Sequence, residues 1–108
     1  MKQIGCMAIL ASMYAFLVTV VPSQGAEPAF AQIQDDPALP RVLLIGDSIS
    51  IGYTVPVREM LAGRANVHRV PDNCGATSKA LQNLDRWLGT GRWDVIHFNC
   101  GIWDAHIL

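Results

Sequence analysis

The chain has 108 residues, a formal net charge of −1 and an apolar fraction of 51%. That is room for one small domain, and the composition is too apolar for a disordered chain. No run of Lys or Arg occurs, which argues against a nucleic-acid surface and against a patch for anionic membranes.

The first segment reads as an export signal. Lys2 supplies a charge at the start, residues 4–21 carry none, and Pro22, Ser23, Gly25 and Ala26 close the run. This is the order of a secretory signal peptide, expected over residues 1–26. Cleavage is expected after Ala26, or after Ala31 in the small-x-small sequence Ala29-Phe30-Ala31. An apolar run of about 18 residues is also the lower limit for a membrane span. An uncleaved anchor is therefore the alternative, and the one route by which a membrane is a partner. Cys6 sits at the front of the apolar run, too early for a lipidation site. Export leaves Cys74 and Cys100 in a compartment that permits disulfides, so they are either paired or two partly buried thiols. Neither has metal-ligand spacing, and no metal site is expected.

Residues 27–40 hold Pro28, Pro37, Pro40 and the pair Asp35-Asp36, without periodicity, and read as a linker. The domain is expected over 41–108. Residues 42–45 form a continuous apolar run closed by Gly46, as in a strand buried on both faces of a parallel sheet. A helix follows, with Thr54 as cap, Pro56 in its first turn, and Val57, Met60 and Leu61 on one face, ending at Gly63. Residues 65–70 predict a second strand, stopped by Pro71, and residues 72–76 a loop. Thr77 or Ser78 caps a second helix, in which Leu81, Leu84 and Leu88, with Ala80 and Trp87, follow helical spacing. Gly89 and Gly91 end it, and residues 94–99 predict a third strand. Alternating strands and helices with short loops point to a three-layer α/β/α fold with a parallel sheet, of which about three strands and two helices are present.

In such a sheet, ligands gather outside the carboxyl ends of the strands. Three polar loops fall there: Gly46-Asp47-Ser48, Asn73-Cys74-Gly75 and Asn99-Cys100-Gly101. Ser48 lies where a turn leaves the first strand, so its hydroxyl is a candidate nucleophile and its N–H a candidate anion donor. Asp47 is too close in sequence to serve as its base and suits a turn-holding role. Gly75 can offer a second N–H with no side chain in the way, and Asn99 a side-chain donor.

These residues carry a resemblance. Residues 42–50, VLLIGDSIS, look like the first sequence block of the GDSL/SGNH hydrolases. The stretch Asn73-Cys74-Gly75-Ala76-Thr77 resembles the second block, whose Gly donates to the oxyanion hole, and residues 99–104 resemble the third, Gly-x-Asn-Asp. The resemblance implies an SGNH/flavodoxin-like fold, Ser48 as nucleophile, an oxyanion hole from Ser48 and Gly75, and no cofactor. Trp103 stands where the third block carries its Asn, so Asn99 is the alternative third donor, and Asp104 matches the block's terminal Asp in a structural role. The family's catalytic Asp and His belong to a late Asp-x-x-His block. Asp104-Ala105-His106 has the wrong spacing for it, and His68 and His97 fall within strands as core or edge histidines. Residues 41–108 are therefore expected to be the N-terminal part of such a domain, inactive alone.

The expected function is that of an exported serine esterase acting on acyl or acetyl esters, small or borne on polysaccharides. A non-catalytic exported binding domain on the same fold is the alternative. A nucleotide-binding Rossmann domain is disfavoured, because residues 46–52 lack the Gly-x-Gly-x-x-Gly spacing that pyrophosphate approach requires.

Overall fold

The computed structural model of the protein describes residues 27–105. The expected signal segment, Cys6 and His106 lie outside them. Within them, β1 is Arg41–Gly46, α1 Ser48–Met60, β2 Asn66–Arg69, α2 Thr77–Leu88, β3 Val95–Asn99 and α3 Gly101–Asp104. The strands form one parallel sheet in the order β2-β1-β3. The described residues thus make a small α/β fold of three parallel strands and three helices.

Side chains alternate along β1. Leu43 and Ile45 join Val70, Cys74, Ala80, Trp87 and Cys100 in the buried core beneath α2. Val42 and Leu44 turn the other way, toward Tyr53 and Val57 of α1 and His97 of β3. The continuous apolar run of β1 is explained by this: each face meets a different helix. The third strand is less covered than β1. Ile96 and Phe98 are 49% and 51% exposed, because β3 pairs on one side only and α2 covers the sheet over β1 rather than over β3. Leu81, on the α2 flank nearest that edge, is likewise exposed.

The first helix begins six residues before the expected cap. Asp47, not Thr54, is its N-cap, its side chain accepting from Ile49 N at 3.0 Å. A carboxylate directly after a strand satisfies an orphan N–H of the first turn and so starts the helix at once. Pro56 lies inside the helix, where it removes the single backbone bond to the Gly52 carbonyl. Thr54 is buried and its Oγ1 donates to Ser50 O at 2.7 Å.

Residues 27–40, expected as a linker, pack along the domain. Pro28–Phe30 forms a 3-10 turn whose Ala29 is buried. Arg58 Nη1 donates to Pro28 O at 3.1 Å, and the Arg69 guanidinium lies over the Phe30 ring. Asn66 bonds the backbone of Asp36 and Leu39 through its amide, and Asp35 pairs with Arg41 at 2.7 Å and His68 at 2.5 Å. Polar side chains of β1, β2 and α1 hold this segment, which is why no apolar periodicity announces it. No helix of the described residues is long and apolar enough to cross a membrane.

Candidate active site at the carboxyl ends of the strands

Gly46 ends β1 at a point of close approach. A Cβ there would lie 2.6 Å from Ser50 Cβ and 3.0 Å from the Asn99 carbonyl oxygen. Crowding against α1 and β3, rather than a left-handed turn, demands glycine here. Asp47 follows, fully buried, with its N–H donating to Asn99 O at 3.3 Å. One carboxylate oxygen caps α1, while Asp47 Oδ2 is buried without a hydrogen-bond partner among the described residues. Ser48 is the first residue of α1 and is exposed. Its N–H is one of the orphan donors of a helix N-terminus, with the positive end of the helix dipole behind it.

The loop after β2 reaches the same turn. Cys74 N donates to Gly46 O at 3.0 Å. Gly75 has φ +62°, a conformation that suits glycine. Its N–H is engaged by Asn73 Oδ1 at 3.1 Å in a local Asx turn, and Lys79 Nζ holds Asn73 O at 2.7 Å. Gly75 therefore stands at the expected edge with its donor already in use.

The loop after β3 closes the group. Cys100 is disulfide-bonded to Cys74, with Cα atoms 6.6 Å apart, so the two loops are stapled to one another. Asn99 is half-buried at the end of β3, opposite Gly46, and accepts from the Asp47 N–H through its backbone carbonyl. Asp104 accepts from both the N–H (2.9 Å) and the hydroxyl of Thr77. The N-cap position of α2 is Ala76, which has no side chain to cap with. The expected local cap from Thr77 or Ser78 is thus replaced by a carboxylate 27 residues away. The Thr77 side-chain and backbone hydrogen bonds hold the Asp104 carboxyl below its ordinary value. Trp103, where the third block would carry Asn, is 46% exposed on α3.

Neither histidine of the described residues is bonded to Ser48. His68 is tied to Asp35 and packs edge-on against Trp93. His97 bonds Tyr53 Oη at 3.1 Å on the α1 face.

Two residues with no assigned part in the sequence reading lie at the centre of the site. Ser50 is fully buried and donates from Oγ to Asp47 O at 2.7 Å. Arg69, the last residue of β2, donates from Nη1 to that same Ser50 Oγ and from Nη2 to Gly46 O (3.1 Å) and Asp72 O (3.3 Å). One guanidinium thereby joins the Gly46–Ser48 turn to the loop that carries Gly75. Burial lowers its pKa from the ordinary arginine value, partly offset by Tyr53, Glu27 and Asp47. The signal for Arg69 was a cation at the last position of a strand, directly before the loop that carries Gly75. Asp72 in turn accepts from Arg86 (2.6 Å) and from the Trp87 indole (3.0 Å), fixing the loop to the end of α2.

The site is therefore an exposed serine at a helix N-terminus, with three loops bonded together around it. No family model, curated protein or solved structure matches the chain.

Proposed function

We propose that the protein is an exported serine esterase of the SGNH type, built on a three-layer α/β/α domain and acting on acyl or acetyl esters, with carbohydrate esters favoured by export. The strand order β2-β1-β3 is the beginning of the flavodoxin-like order, whose ligands sit at the switch between β1 and β3. Ser48 stands at that switch. The observation that carries the reading is its exposure on the first turn of α1, with the loops after β2 and β3 bonded to the residues just before it.

In this reading Ser48 Oγ attacks the ester carbonyl and forms a tetrahedral intermediate. The Ser48 N–H holds the oxyanion, joined by the Gly75 N–H once substrate displaces the Asn73 side chain, and by Asn99 as third donor. A lost donor of this kind costs about 2.7–4 kcal/mol. A serine hydroxyl needs a base to become a nucleophile, and neither histidine of the described residues faces it, so the base must come from outside residues 27–105. The intact protein is expected to react with a fluorophosphonate probe and Ser48→Ala to lose that labelling. Equal labelling of the two refutes the assignment.

The engaged Gly75 N–H favours a second reading, a non-catalytic exported binding domain on the same fold. An intact protein that binds acylated polysaccharide without ever labelling at Ser48 supports it over the first.

A further inference from the structure

The Asp47 carbonyl and the Ser48 N–H belong to one peptide unit, and that carbonyl is loaded with donors. It accepts from Ser50 Oγ at 2.7 Å and from Ile51 N at 3.2 Å. Ser50 Oγ in turn accepts from the Arg69 guanidinium. The chain runs in one direction: cation to hydroxyl, hydroxyl to carbonyl, and across the peptide to the Ser48 N–H. Each bond in such a chain polarises the next, and a charged donor strengthens it further. A carbonyl that accepts more strongly leaves its own peptide N–H more positive.

We propose that Arg69 and Ser50 form a polarising relay that makes the Ser48 N–H a stronger anion donor. Arg69 is a positioning residue that acts through Ser50 and never touches substrate. This rests on the hydrolase reading of Ser48. A stability role alone accounts poorly for the arrangement. A cation beside the first turn of a helix opposes the helix dipole, and Arg69 Nε is buried without a partner among the described residues. Both features cost free energy in the resting protein and serve a site where negative charge develops. The remaining Arg69 bonds, to Gly46 O and Asp72 O, fix the guanidinium so that its Nη1 stays aimed at Ser50.

The test uses Arg69→Gln, Ser50→Ala and the double variant in the intact protein. Two quantities are read: the saturating rate of fluorophosphonate labelling, and the NMR shifts of the Asp47 carbonyl carbon and the Ser48 amide proton. Each single variant is expected to slow labelling roughly tenfold at unchanged probe affinity, and the double variant no further, because both act through one peptide. Arg69→Gln is expected to move both resonances upfield, although Arg69 makes no bond to that carbonyl. Ser50→Ala, a small change, serves where Arg69→Gln fails to fold. Unchanged labelling in the single variants, or losses that multiply in the double, overturns the relay. If the wild-type protein does not label at all, the hydrolase reading falls and the resonances decide alone. Upfield shifts then uphold the relay, and unmoved resonances overturn it.

Discussion

Removal of the Cys74–Cys100 bond is expected to cost the domain a large share of its stability. The bond spans 26 residues of sequence. Closing a loop of that length in the unfolded chain corresponds to about 3.5 kcal/mol of lost chain entropy. For a domain of this size, that is a fall in melting temperature of roughly 15–25 °C. The enclosed segment contains all of α2 and β3, so without the bond only packing under α2 and the pairing of β3 hold it. Cys74→Ala/Cys100→Ala is the clean perturbation, because both sulfurs are buried in the core and alanine introduces no polar atom there. Urea unfolding followed by tryptophan fluorescence reports the change, since Trp87 is buried and Trp93 packs against the same core. The wild-type protein treated with reductant should shift toward the variant, whereas the variant should not respond. A stability loss below about 1 kcal/mol, outside the usual range for native disulfides, would refute the reasoning. The staple also sets the separation of the loops that carry Gly75 and Asn99, so labelling of Ser48 should slow in the variant even well below its melting temperature.

Gly46→Ala drives a Cβ into Ser50 and toward the Asn99 carbonyl. A stability loss of about 1–3 kcal/mol is expected from such overpacking. Ser48 labelling should fall by more than about tenfold, since reacting groups misplaced by 1 Å lose rate about 100-fold. A folded variant that labels at the wild-type rate would show that Gly46 is not a point of contact. Asp104→Asn tests the capping of α2. The Asp104 carboxyl is held below its ordinary value of 3.8 by Thr77, so its contribution is full above that value and is lost as pH falls through the lower folded value. The variant should be less stable near neutral pH and lose less stability on acidification than the wild type. Parallel acid-melting curves for the two proteins would count against the cap.

Much of this arrangement is legible along the chain. The apolar run at 42–45 and the mixed runs ending at Arg69 and Asn99 mark the strands, and glycines mark the ends of α2 and its loop. The three polar loops follow from strand order alone, because parallel strands deliver their carboxyl ends to one edge. The start of α1 is where local reading went astray. Thr54 and Pro56 are ordinary first-turn residues, yet a buried Asp47 initiates the helix straight from the strand. The exposure of β3 is likewise not written locally: an apolar strand sequence does not say whether a neighbour pairs with its far edge.

Sequence by itself determined the three strands, the two longer helices, their order, and the edge at which Ser48, Gly75 and Asn99 stand, because periodicity and breakers act over a few residues. Tertiary structure decided how those loops are joined. The Cys74–Cys100 bond spans 26 residues, the Asp104–Thr77 cap 27, and the Arg69–Ser50 contact 19. Each depends on crossovers that bring β2 and β3 to opposite sides of β1. It also decided that the Gly75 N–H is engaged by Asn73 and that an arginine stands behind the Asp47–Ser48 peptide. Those facts turn on distances of a few tenths of an ångström and on which hydrogen bonds fill a buried space. No pattern along a chain encodes either.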